Sequence, residues 1–224
     1  MNNHKSPFTK KSFLPIEKIS ESSAGKWYVV KEQETGHFFT MKVVSKKEAS
    51  ENGNIQSYLT EQRILSEMNN PFIIDLHCTF QTKTKLVYIY RCLPGAWLRT
   101  ILQRNKTLSE DQAKFYVAEI VLAINALHER DIICRDLRPE TIFIDHEGHV
   151  CLADLLLARE NVEQQASGAN SFRGSLAYLA PDMLKRAGYG KALDWYMVGQ
   201  LLYILLVGTP PYYALSQQRM IENI

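Results

Sequence analysis

Three short segments hold the residues that could do chemistry. The first is Ile132-Ile133-Cys134-Arg135-Asp136-Leu137-Arg138-Pro139-Glu140-Thr141. The second, Leu152-Ala153-Asp154-Leu155-Leu156-Leu157-Ala158, sets its aspartate 154 − 136 = 18 residues after the first. The third is Gly174-Ser175-Leu176-Ala177-Tyr178-Leu179-Ala180-Pro181-Asp182. A lysine in a strand-like run, Met41-Lys42, and a glutamate 61 − 42 = 19 residues later complete the set. Carboxylates and cations of this kind serve proton transfer and charge neutralisation. The bland alternative is turn and cap aspartates, an exposed strand lysine and a solvated helix glutamate. Thiol–zinc chemistry is disfavoured. Cys78, Cys92, Cys134 and Cys151 form no C-x-x-C pair, and no histidine lies at zinc-ligand spacing from two of them.

Composition narrows the function classes. The chain has 224 residues, 46% hydrophobic and 22% charged, enough for a sizeable core. Net charge is 26 − 24 = +2, which removes a strong electrostatic case for nucleic acid or an anionic membrane. The amino-terminal run MNNHKSPFTKKSF is basic without an apolar segment, so it is no secretory signal. The longest apolar stretch, Trp195 to Gly208, includes Gln200 and falls short of the roughly 20 residues of a spanning helix. It reads as a buried core helix, and membrane insertion is not expected. The cysteines are expected as free thiols in a reducing compartment, the cytoplasm, with the nucleus as a further location.

Around the segments, residues 1–12 read as a flexible basic arm. Residues 13–44 alternate like three strands, with Glu34-Thr35-Gly36 as a turn. Residues 46–54 read as a loop ending in Asn52-Gly53. A helix fits 56–68, and strands fit Phe72–Phe80 and Leu86–Tyr90. Pro94-Gly95 marks a break. Beyond it a capping box at Ser109 and Gln112 starts a helix with an apolar face from Ala113 to Leu127. Ile142–Ile144 and Val150–Leu152 flank a hairpin-like turn, and Asp194 reads as the cap of the apolar helix. The expected fold is α+β, a small five-stranded lobe with one main helix followed by a mainly helical lobe.

Taken in order and at their spacing, these motifs resemble a protein kinase of the AGC serine/threonine group. NNPFIIDLHCTFQTKTKL, DLRPETIFID, GSLAYLAPDML and LDWYMVGQLLYILLVGTPPYY are similar to the ribosomal-protein-kinase and serum/glucocorticoid-kinase branch. The resemblance covers about residues 13 to 224. It implies a bilobal fold, with an N-lobe at 13–91 and a C-lobe at 92–224, and phosphoryl transfer from ATP with Mg²⁺ to a protein substrate. Such chemistry rests on positioning and charge neutralisation. Residue by residue, Lys42 matches the lysine on the α/β-phosphates and Glu61 its ion-pair partner. Asp136 matches the catalytic base, and Arg138 the lysine that touches the γ-phosphate. Asp154 matches the Mg²⁺ aspartate, and Thr141 stands at the second metal position. Arg135 matches the arginine that binds a phosphorylated activation loop. Ser171 is then the candidate phosphoacceptor, and Ser175 the hydroxyl bonded to the catalytic aspartate. Glu140 matches an acid that reads basic substrates, but the other such position is Trp97.

The departures cluster at the nucleotide. The Gly-rich loop keeps Gly25 but has Ser20 and Ser22 at glycine positions, with Glu21 adding negative charge. Trp27 replaces the valine above the adenine, Thr40 an alanine, Phe143 the usual leucine below it, and Tyr90 is the gatekeeper, with Leu93 beside it on the nucleotide. An indole in place of a valine is expected to fill much of that slot. Thr141 is a shorter ligand than asparagine, and Asp154-Leu155-Leu156 replaces DFG. Three readings follow: a pseudokinase acting as a binding or regulatory module, a weakly active serine/threonine kinase using ATP and Mg²⁺, or an unstable truncated product. In the first, no cofactor need bind, and the partner is a protein. The family's last C-lobe helices are expected to be missing, which would leave one side of the apolar helix uncovered.

Overall fold

Strand alternation over the first ninety residues gives one sheet two differently loaded faces. The computed structural model describes residues 8–22, 25–91, 95–162, 176–185 and 188–224. They divide into two compact units, residues 1–69 with 74–94, and residues 70–73 with 95–224.

In the first unit β1 (Phe13–Ser22), β2 (Gly25–Glu32), β3 (Phe38–Ser45), β4 (Leu76–Gln81) and β5 (Lys85–Arg91) form a sheet of order β1-β2-β3-β5-β4. All its pairings are antiparallel. One face carries Phe13, Val30, Phe39, Met41, Val87 and Ile89 as an apolar cluster. Register puts Trp27, Lys42 and Tyr88 side by side on the other, with Thr40 beside Tyr90 in the next row. Against that face lies α2 (Ile55–Glu67), which buries Tyr58, Glu61, Ile64 and Leu65 at helical spacing.

Three local expectations change. Residues 46–51 form a short helix, α1 (Lys46–Glu51), where a loop was expected. Ser45 caps it by accepting from the Glu48 amide, and Asn52-Gly53 marks its end. The fourth strand starts at Leu76 and not at Phe72. Residues 70–73 instead belong to the second unit, where the Phe72 carbonyl accepts from the Leu152 amide at 2.8 Å. Of the expected loose arm, residues 8–12 are folded: Phe8 packs on Phe13 and His77, and residues 10–12 make a 3-10 turn capped by Thr9.

The second unit holds β6 (Gly95–Trp97), β7 (Ile142–Asp145) and β8 (Val150–Leu152) with α3 (Leu98–Asn105), α4 (Glu110–His128), α5 (Pro181–Lys185), α6 (Ala192–Val207) and α7 (Gln217–Asn223). The capping box at Ser109 and Gln112 and the 142–152 hairpin are present as expected. The strand β6 was not anticipated. It needs Gly95, because a Cβ there would lie 2.1 Å from the Ile144 carbonyl oxygen. The apolar helix α6 buries Leu193, Met197, Leu201 and Leu205, yet Trp195, Tyr203, Leu206 and Val207 are exposed.

Glu119 of α4 pins the hairpin. One oxygen pairs with His149 Nδ1 at 2.6 Å and the other accepts from the Val150 amide at 2.7 Å. That hydrogen bond raises the His149 pKa above its ordinary 6.5. A raised histidine pKa adds stability that is fully present below the unfolded value and disappears as pH rises through the folded one. The stability advantage of the parent over His149→Ala in urea titrations is therefore expected to be greatest below pH 6.5 and to shrink above it. An advantage that grows with pH would contradict the pairing.

Candidate functional site

The candidate residues of the first unit centre on Lys42. From the middle strand β3 its ammonium reaches both carboxylate oxygens of Glu61 at 3.0 Å, and both side chains are 0% exposed. Three rings surround the cation: Trp27 at 5.4 Å, Tyr58 at 5.7 Å and Tyr88 at 5.8 Å from Nζ to the centroid. Such contacts are worth about 0.5–2 kcal/mol each, more when desolvated. The Tyr88 hydroxyl donates to the Tyr58 carbonyl at 2.8 Å, which ties β5 to α2, and burial raises its pKa. Trp27 is 4% exposed and stacks on Tyr90 at 5.4 Å and 22°. Thr40 is also buried.

The remnant of the Gly-rich loop is explained by packing. Gly25 has φ +133°, and a Cβ there would meet the Val43 carbonyl oxygen at 2.9 Å. Ser20 and Ser22 lie in β1, opposite Trp27 and Gly25. Glu21 is bridged by Lys18 and Lys26, which hold its carboxyl below the usual range. Its negative charge is thus paired at the surface. Leu93 lies outside the described residues.

In the second unit one loop holds Asp136, Arg138 and Thr141. Asp136 is 8% exposed, and its carboxylate accepts from Arg138 Nε at 2.7 Å. Burial pushes its pKa up to about 6, against the pull of the Arg138 guanidinium. Arg138, expected at a phosphate, here pairs with Asp136, the residue expected as the base. The Thr141 hydroxyl turns inward, sharing its hydrogen between the carbonyls of Asp136 (2.9 Å) and Arg138 (3.0 Å). Thr141 is 1% exposed, so in this arrangement it closes the loop and does not present a metal ligand. Asp154 accepts from the Leu156 amide at 3.0 Å, a turn within its own segment. Phe143 is buried edge-on against Trp97, ring centres 5.4 Å apart. Among the described residues no group of three or more His, Cys, Asp or Glu side chains could hold a metal ion.

Asp194 holds this loop in place. It is 0% exposed and accepts from the amides of Cys134 (2.8 Å) and Arg135 (2.9 Å), and pairs with His128 Nε2 at 2.8 Å. The expected cap role is therefore corrected: the cap position is Lys191, and Asp194 sits inside the first turn of α6, aimed at the loop. Arg135 is held at φ +64°. Its side chain is spent on the Leu157 carbonyl (2.7 Å) and the Tyr189 hydroxyl (3.2 Å). Ser171 and Ser175 lie outside the described residues.

Sequence reasoning missed Tyr58, Tyr88 and the Asp194 anchor. Tyr58 could have been found three residues before Glu61 on the same helix face, and Tyr88 two residues before Tyr90 on the same strand face.

The sequence family model for the protein kinase domain matches residues 13–224. The chain belongs to the protein kinase family. Its relatives place it in the AGC group. It is 39% identical over 206 residues to a RAC family serine/threonine-protein kinase homolog of Dictyostelium discoideum, covering 92% of this chain and 46% of that protein. It is 35% identical to serine/threonine-protein kinase sgk-1 of Caenorhabditis elegans, covering 96% of this chain and 47% of that one. It is 37% identical to human serine/threonine-protein kinase Sgk2, covering 95% and 57%. The kinase domain thus spans about half the length of the curated relatives it matches. Among its described residues, no helix is long and apolar enough to cross a membrane.

Proposed function

We propose that this kinase domain is a pseudokinase, a kinase-shaped module that binds a protein partner in the cytoplasm without using ATP. The observation that carries this reading is the sealed lysine. Lys42, which would neutralise phosphates, is 0% exposed and enclosed by Glu61, Trp27, Tyr58 and Tyr88. Trp27 and Tyr90 stack where the family resemblance puts the adenine. The inward Thr141 hydroxyl and the pairing of Arg138 with Asp136 weaken the metal and phosphate side as well. Taken unit by unit, the enclosed Lys42 and the inward Thr141 hydroxyl each argue against a bound ATP·Mg²⁺. Saturating MgATP is accordingly expected to leave thermal unfolding unchanged, whereas a ligand at 100 times its Kd would add about 2.7 kcal/mol.

Two observations favour a second reading, a weakly active serine/threonine kinase. The Lys42–Glu61 pair is formed, and burial pushes the Asp136 pKa up to about 6, toward what a general base needs at neutral pH. That reading requires phosphate incorporation into a basic peptide that disappears in Asp136→Ala.

A further inference from the structure

The sheet of the first unit curls on the face opposite Lys42. Phe13 of β1 and Phe80 of β4 stack with ring centres 6.1 Å apart and planes at 4°. These belong to the two edge strands of the order β1-β2-β3-β5-β4. In a flat sheet, four strand spacings would hold the edges about 19 Å apart. The strands therefore form a half-barrel around the apolar cluster of that face. Register puts Val30 and Phe39 toward one end of it and Val43 and Val87 toward the other.

A cavity of about 240 Å³ opens at the Val43–Val87 end. All five strands contribute to its apolar wall, through Phe13, Tyr28, Met41, Val43, Phe80 and Val87. Its rim is cationic. Lys10 and Lys85 line it, both are exposed, and neither ammonium has an ion-pair partner among the described residues. Among those residues no Asp or Glu contributes to the wall. The Thr82 hydroxyl, also on the wall, accepts from the Lys85 and Thr84 amides and keeps its hydrogen for another acceptor. The turn that carries Lys10 is fixed: Thr9 caps it, and the Gln33 amide donates to the Ser12 carbonyl at 2.9 Å.

We propose that this pocket binds a medium-chain fatty carboxylate, with the tail in the half-barrel and the head group on Lys10 and Lys85. Two unpaired cations with no acid beside them call for an anion. A wall drawn from all five strands admits a ligand end-on, which suits a single chain better than a peptide lying across the sheet. An apolar cavity of about 150 Å³ holds benzene, so the 240 Å³ here takes a chain of roughly eight to ten carbons. The site lies on the other face of the sheet from Lys42 and goes beyond the pseudokinase reading without depending on it.

The test is isothermal titration of the full chain with decanoate, below its micelle concentration, and with the neutral decanamide. The parent is expected to bind decanoate roughly tenfold more tightly than the amide. Lys10→Ala with Lys85→Ala alters only exposed side chains and should erase that preference while leaving the melting temperature near the parent's. Val43→Phe, which fills the cavity, should weaken both ligands; if it does not fold, the lysine pair decides alone. No decanoate bound, decanoate bound no better than decanamide, or an affinity that the lysine pair or a folded Val43→Phe leaves unchanged would overturn the proposal. A peptide rich in Phe and Glu that binds where decanoate does not would overturn it too, in favour of a protein occupant.

Discussion

Glu61→Ala is expected to destabilise the domain by about 3–5 kcal/mol, far more than the loss of an exposed ion pair. The reason lies in what remains behind. Lys42 is 0% exposed, and the truncation leaves its ammonium buried among Trp27, Tyr58 and Tyr88 without the carboxylate that balances it. The rings supply attraction through their faces, which does not replace the two carboxylate oxygens of Glu61 at 3.0 Å. The double variant Lys42→Met with Glu61→Leu removes both charges and keeps the volume. It should recover most of the loss, because a well-packed apolar pair commonly equals or exceeds a buried ion pair in stability. Urea midpoints at unchanged m-value provide the measurement. A Glu61→Ala cost under about 1 kcal/mol would mean that water reaches the pair, as it would around an exposed one.

Asp194→Ala should cost a comparable amount, about 4 kcal/mol or more, since it strands two buried amides and one imidazole at once. Cys134 and Arg135 both donate to it, and His128 is its third partner. Arg135 sits at φ +64°, a conformation that a non-glycine residue holds only when its surroundings compel it. Without Asp194 that constraint is gone, and the Asp136 loop is released with it. Asp194→Asn should be intermediate, because one carboxamide oxygen replaces two carboxylate oxygens and its NH₂ faces a donor. Trp195 packs edge-on against His128 with ring centres 5.2 Å apart, so its fluorescence reports on this corner directly. An Asp194→Ala protein within about 1 kcal/mol of the parent would show that the loop holds itself.

The charged candidate residues of each unit are legible because they are local in the chain. Asp136, Asp154, Lys42 and Glu61 sit in short motifs at countable spacings, and the substitutions at Trp27, Thr141 and Phe143 stand out against them. The same spacing predicted the Lys42–Glu61 contact. The cage around Lys42 was not legible, because it depends on which strands are neighbours. Tyr88 reaches Lys42 only because β5 lies next to β3 in the sheet, across α2 and β4 in sequence. Tyr58 depends on the phase of α2 against that sheet. Asp194 escapes the sequence for a related reason: an aspartate at the start of an apolar run gives a helix-start signal, whereas its partners are 59, 60 and 66 residues away. At α1, six residues are too few for periodicity to register, and the polar sequence with Asn52-Gly53 reads as a loop, whereas the Ser45 cap is evident only in the structure. The pairing of Glu140 with Arg99 also joins separate elements, and it alters what the glutamate can read.

The central claim is that the nucleotide side of this kinase domain is filled by its own aromatic side chains. Its most direct test is thermal unfolding of the parent chain and of Trp27→Val, each with and without saturating MgATP. The account predicts a parent melting temperature that MgATP leaves unchanged, with any nucleotide shift confined to Trp27→Val. A parent that gains stability with MgATP, by an amount Trp27→Val does not alter, would contradict it.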